Sequence, residues 1–443
     1  MVKKLLIISL LLAGVLSAHG ESIEECRRLA EENYPLVQRY DILRQTEQFT
    51  LSNIAKGWLP QITAYAQGTG QNAVPEWPEA LEKMLSTQGY DVKGISRMQY
   101  RTGIDLQQTV YDGGTIGAAR KVAQAQAAVE TAKTDVDVYA LHHRVEDVCF
   151  SWLLVEERLK QNDELQQLLA SNVAKLQALH DGGAALKADV DAMRAELASA
   201  RQQATELQSA RSSLQQVLSL LCGRKVERVE KPSDALVHSS GTADFSSYNS
   251  AHASEAFTDF SGRPELRLFD AQFSLYDAQE RSLRADRLPK LGIFAQGYYG
   301  YTGFNMFHDM MEREPSFNAL VGARLTWSLS SLYTRRSDKR RLEAQRRGVE
   351  NSREVFVFNQ QLQATSEQQT ILRYKRLLAD DDEIVSLRRN VRQAAEAKLD
   401  GGIIDTNNLL QEINREHQAV LNRSVHEIEH LKAIYELNNT LGK

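Results

Sequence analysis

The sequence predicts a mixed fold, all-α rods joined to a β-barrel wall and laid out twice by internal duplication. Three observations predict it. Residues 118–181 contain no glycine and residues 79–231 no proline, a span too long to lack both helix breakers unless it is helical. Four segments of about ten residues alternate apolar and polar side chains, the period of a strand with two unlike faces. Landmarks of the first half recur in the second at fixed offsets of 229 and then 219 positions.

In chain order, Lys3 and Lys4 precede an apolar run over residues 5–16 and then Ser17-Ala18. This reads as a signal peptide over 1–20, cleaved after Ala18 or Gly20. Its removal takes the net charge from −5 to −7. No later apolar run is long enough for a transmembrane helix. Cys26, Cys149 and Cys222 are too far apart for a disulfide framework and read as small packing residues. Cys26 does not follow a Leu-Ala-Gly of lipoprotein type.

The first repeat is predicted over residues 21–223. Ser22 and Glu25 make a capping box for an opening helix, and Pro35 starts a second helix that reaches about residue 56. Strands follow at about 59–67 and 100–111. In the first, Ile62, Ala64 and Ala66 alternate with Thr63, Tyr65 and Gln67. In the second, Ile104, Leu106 and Val110 alternate with Asp105, Gln107 and Thr109. A long helix is expected over 114–180, where Leu141, Val145, Val148, Trp152, Val155 and Leu159 keep a coiled-coil period. Its 67 residues would form a rod of roughly 100 Å, which makes the molecule elongated. An Asp-Gly-Gly turn (Asp181, Gly182, Gly183) leads to a helix over 187–221.

A connector over 224–260 separates this from the second repeat, 261–443. There Leu-Pro-Lys-Leu-Gly-Ile-Phe-Ala-Gln-Gly (288–297) echoes Leu-Pro-Gln-Ile-Thr-Ala-Tyr-Ala-Gln-Gly (59–68). Strands are expected at about 288–299 and 319–330, a rod over 333–399, a second Asp-Gly-Gly turn (Asp400, Gly401, Gly402) and a helix over 405–441. Ile104, Leu106, Leu325 and Trp327 are assigned to the lipid side of a membrane wall, and Asp105, Gln107, Arg324 and Thr326 to its lumen. Tyr65, Tyr100, Tyr111, Tyr298, Tyr299 and Tyr301 are candidates for aromatic girdles. Four strands fall short of the roughly eight that close a bacterial barrel, and an open edge does not survive in lipid. The barrel is therefore expected to be shared between chains.

Motifs for chemistry are missing. No nucleophile–base pattern, metal-spaced cluster or phosphate loop occurs, so no enzyme, metal or cofactor is expected. His142-His143 lacks the rest of a zinc motif and reads as a helix-surface pair. Residues 380–383, all acidic, read as a solvated face. The basic stretch 335–347 reads as a solvated face, as a contact for anionic headgroups, or as a positive ring in a duct. Nucleic acid is not an expected partner of a secreted chain. Nothing in the spacing of His238, His252 and Asp259 supports an enzymatic reading of the connector.

The duplicated unit resembles the TolC-like outer membrane efflux protein family. The Leu-Pro openings of the strands, Tyr-Asp-Gly-Gly (111–114) and Glu-Glu-Asn-Tyr-Pro (31–35) all carry the likeness. The resemblance implies long coiled-coil-like helices forming a periplasmic α-barrel, continued by a trimer-shared 12-stranded transmembrane β-barrel. It implies a trimeric outer membrane channel in a Gram-negative bacterium, the exit duct of a tripartite efflux or type I secretion system. Its partners would be outer membrane lipid, a periplasmic adaptor (membrane fusion) protein and an inner-membrane pump or transporter. The two Asp-Gly-Gly turns would be the periplasmic tips where the adaptor docks. The family pattern places a gate acid six residues past the second glycine and, in the second repeat, another three later. Here these positions hold Asp189 and, in the second repeat, Asn408 and Gln411, so only one carboxylate ring is expected. The rival reading is a secreted coiled-coil structural or interaction protein without a pore, which the four amphipathic strands disfavour.

Overall fold

The computed structural model describes residues 20–232 and 259–443. The signal-peptide reading, apart from Gly20, and His238 and His252 of the connector lie outside the described residues.

Helix α1 (Ile23–Asn33) is capped by Ser22, whose hydroxyl accepts from Glu25 N at 3.1 Å. Pro35 opens not an α-helix but a 3-10 turn, Pro35–Val37, which feeds α2 (Gln38–Ala55). There follow β1 (Gln61–Gly70), the short α3 (Glu79–Thr87), β2 (Met98–Tyr111), α4 (Thr115–Asp181) and α5 (Lys187–Cys222). The same order then recurs: α6 (Pro264–Ala285), β3 (Lys290–Tyr301), α7 (Met306–Glu312), β4 (Ser316–Thr326), α8 (Ser331–Asp400) and α9 (Thr406–Leu441).

Strand ends depart from the sequence reading for local reasons. β1 starts at Gln61 because Leu59 N bonds back to Lys56 O, closing a 3-10 turn. It runs on through Gly68 and Gly70, which pair with Tyr100 and Met98. β4 ends at Thr326 because the chain already winds into helix: Leu332 N and Tyr333 N reach the carbonyls of Leu329 and Ser330. Trp327 therefore lies one residue outside the strand assigned to it, its indole N–H donating to Arg287 O at 3.0 Å. The helices α3 and α7 inside the strand connections had no counterpart in the sequence reading.

The Tyr-Asp-Gly-Gly motif has a clear mechanical role. Gly113 and Gly114 take φ of +67° and +86°, a region that costs other residues strain. They turn the chain so that Asp112 accepts from Gly114 N at 2.8 Å and Ile116 N at 2.6 Å. Burial would raise the Asp112 pKa, but these N–H bonds and the Thr115 hydroxyl outweigh it and hold the carboxylate low. The motif thus stops a strand and caps a 67-residue helix in four residues.

Two compact units partition the chain. One comprises Ile42–Thr131 and Phe269–Glu350 and contains a four-stranded antiparallel sheet in the order β1-β2-β3-β4. The other comprises residues up to Asp41, Ala132–Leu268 and Asn351–Lys443. Its main core joins α1, α4, α5, α8 and α9 around Trp152, Val145, Leu218 and Leu437, none more than 1% exposed. Cys26, Cys149 and Cys222 all lie buried in that core as free thiols. A hydrogen bond with Cys149 and burial hold the Cys26 thiol above its usual range.

Candidate functional site: a two-faced sheet and two glycine turns

The register sorts the sheet into faces, since directly paired residues point the same way. Ile62 pairs with Leu106 and Ala64 with Ile104. Those two pair with Ala295 and Gly297, and Ala295 with Val321. Leu291 stands opposite Leu325. One face is therefore mostly apolar, with Thr102 and Gln108 as its polar members. It is also bare: Ile62 is 67% exposed, Val321 72% and Leu325 69%. Exposed apolar surface this extensive marks a site that meets protein or membrane.

The opposite face carries Thr63, Gln67, Arg101, Asp105, Gln107, Gln296 and Arg324. Its side chains bond to one another. Arg101 donates twice to Gln67 Oε1, at 3.1 and 2.9 Å, and its guanidinium lies over the rings of Tyr65 and Tyr298. Gln296 Nε2 donates to the Tyr65 hydroxyl at 3.1 Å. Arg324 stacks over Phe294, and Gly322 leaves the room for that ring. Of the six proposed girdle tyrosines, Tyr100, Tyr111 and Tyr299 sit exposed on the apolar face. Tyr65 and Tyr298 belong to the polar face, and Tyr301 is buried beside Ile95 and Met310. Helices α2 and α6 lead into β1 and β3, and the long α4 and α8 leave β2 and β4, all at one end of the sheet, while the α3 and α7 connections close the other. Strands β1 and β4 form its two edges, each paired on one side only.

The two Asp-Gly-Gly turns lie in the helical unit and share one design. Gly183 and Gly402 take φ of +77° and +67°. Gly183 N bonds to His180 O and Ala184 N to Leu179 O, and Gly402 N and Ile403 N repeat the pattern on Leu399 and Lys398. Both are glycine C-caps of the Schellman type. Asp181 accepts from Gln177 Nε2 at 2.8 Å, and Asp400 is paired with Lys175.

Asp189 lies in the first turn of α5 and accepts from Leu186 N at 3.3 Å, stabilising its own helix start. Arg194 donates to Gln177 Oε1 at 2.8 Å. In the second repeat the cap carboxylate has moved three residues earlier: Asp405 accepts from Asn408 N at 2.9 Å. Asn408 and Gln411 are exposed. Directly behind the turns, Leu176, Val190, Met193, Ala395, Leu409 and Ile413 form one buried cluster from four helices. This cluster starts within two turns of the glycines.

Two surface readings also change. In the acidic run, Asp381 is 8% exposed and bonded to His426 Nδ1 at 2.6 Å, while the exposed Asp382 is paired with Arg423 at 2.6 Å, so half the run is bonded to α9 and Asp381 is withdrawn from water. His142 is half-buried, with Arg27 Nη2 on its Nδ1 at 2.8 Å and Glu31 on its Nε2. Burial lowers its pKa. One turn on, Glu146 is 3% exposed between Arg27, at 3.2 Å, and Asn439. Burial pushes its pKa up to about 7. The sequence reading missed this acid, whose only signal was its place inside the heptad, next to Val145.

The fold thus combines strands that have a bare apolar face with helices of 67 and 70 residues in one chain. Solved structures that it matches include outer-membrane channels of the TolC family, and the chain has their fold. The outer-membrane channel OprN is 16% identical, with 95% of this chain and 89% of that one covered at a TM-score of 0.67. The outer membrane protein VceC of Vibrio cholerae is 11% identical over 95% and 96%, at 0.65. The CmeC channel of Campylobacter jejuni is 12% identical over 97% and 90%, at 0.62. No protein-family model and no curated protein matches the chain.

Proposed function

We propose that the chain is one subunit of a homotrimeric outer-membrane exit duct, four strands from each subunit making a 12-stranded barrel. The sheet carries this reading: one face is apolar and bare, the other hydrogen-bonded and charged, and both edges are open. In lipid such edges must be paired, and identical chains can do this by joining β4 of one to β1 of the next. The likeness in fold to outer-membrane channels supports it. The recurring order of elements supports a duplication, with repeats over 21–223 and 261–443 flanking a connector and a signal peptide over 1–20. On this reading the protein is a channel of an efflux or type I secretion system and not an enzyme. Its long helices extend into the periplasm as an α-barrel, and an inner-membrane pump and a periplasmic adaptor work with it. The adaptor docks at Asp181-Gly-Gly and Asp400-Gly-Gly, and Asp189, with Asn408 and Gln411, lines the constriction.

Size measurement in detergent is the test. A trimer that resists extraction by buffer alone and conducts ions in a planar bilayer is the expected result. A monomer, or full extraction without detergent, would return the chain to the class of pore-free coiled-coil proteins.

A further inference from the structure

We propose that the first turns of α8 form a binding belt for anionic phospholipid headgroups, in the leaflet at the helix-bearing end of the sheet. The proposal rests on the membrane-barrel reading above and adds a lipid class to it.

Arg335, Arg336, Lys339 and Arg340 fall within six residues, at the start of a helix whose preceding strand ends at Thr326. All four are exposed. Among the described residues Arg335, Arg336 and Arg340 form no ion pair, and Lys339 reaches only Glu343, at 3.6 Å. The nearest acid of the helix, Asp338, is taken up by Arg341 at 3.7 Å and Arg287 at 3.9 Å. Among the described residues, then, the three guanidiniums are unneutralised.

Their height fits the headgroup layer. At 1.5 Å per residue they stand about 6–14 Å beyond Ser331, and a long side chain can bend back by several ångströms. Trp327, 55% exposed, and Tyr333, 86% exposed, lie on the approach, where aromatic side chains favour the lipid–water interface. A guanidinium fork matches two oxygens of a phosphate, which a zwitterionic headgroup offers only beside its own cation. The feature belongs to one repeat: the matching stretch 116–128 holds only Arg120 and Lys121.

Native mass spectrometry of the detergent-solubilised protein, titrated with phosphatidylglycerol or phosphatidylcholine, tests this. Wild type should retain phosphatidylglycerol about tenfold or more over phosphatidylcholine, given the strength of polybasic attraction. The triple variant Arg335→Gln, Arg336→Gln, Arg340→Gln should lose most of that preference, and the control Arg120→Gln, Lys121→Gln should keep it. An equal preference in wild type and the triple variant overturns the belt. So does a triple variant that keeps the preference but dissociates, because the arginines then serve a second copy of the chain. A wild-type protein that needs no detergent overturns the barrel reading itself and the belt with it.

Discussion

Glu146 shows how a single buried acid couples this helical unit to pH. Its folded pKa lies near 7, above the ordinary 4.5, with burial as the largest cause. The native state therefore binds the proton more tightly than the unfolded chain does. The resulting stability is complete below about pH 4.5 and is lost as pH climbs through about 7. Glu146→Gln keeps an acceptor for Asn439 and Arg27 but has no proton to lose. Thermal unfolding from pH 5 to 8 should show wild type falling by on the order of 2–3 kcal/mol relative to the variant. Parallel profiles would mean that Arg27 neutralises the carboxylate fully. Past the second Asp-Gly-Gly turn, Asp405 is the cap that Asp189 replaces in the other repeat. Asp405→Ala should cost about 1 kcal/mol locally and speed hydrogen exchange at Asn408 and its neighbours about fivefold. Unchanged exchange would show that the buried cluster, not the cap, holds this helix start.

At the scale of elements, the strands make the sharper prediction. Leu320 and Val321 are adjacent, both aliphatic, and indistinguishable by hydropathy, yet Leu320 pairs with Gln296 and Val321 with Ala295. Val321→Arg should cost roughly 2–4 kcal/mol of folding free energy in a bilayer, and Leu320→Arg little. Urea titration in vesicles measures both, and equal costs would put the register or the membrane assignment in error. The rods were easily read because a helix this long announces itself by missing breakers and a steady period. The apolar sheet face was legible too, since alternation is a property of neighbours in sequence. Strand ends were not, because they depend on which N–H groups find partners across the sheet. Trp327 continues the alternation perfectly well but has left the ladder. The acidic run, 380–383, misled for a related reason: only packing against α9 reveals His426 and Arg423 as its partners.

For the whole molecule, the proposed constriction is tested by Asp189→Ala. The variant should assemble normally but show altered conductance and weaker cation preference in a planar bilayer. A channel unchanged in both would leave Asp189 with its helix-start role alone. The open edges of the sheet reach further than closure. If the barrel is shared as proposed, one subunit is never sufficient, and insertion would be a collective event whose rate depends steeply on how many copies share the compartment. A chain with a blocked β4 edge but an intact β1 edge would still enlist healthy partners and hold them in unfinished rings. Co-expressed with wild type, it should act as a poison rather than a bystander. Functional ducts would then fall with the cube of the healthy share, and the defect would be genetically dominant.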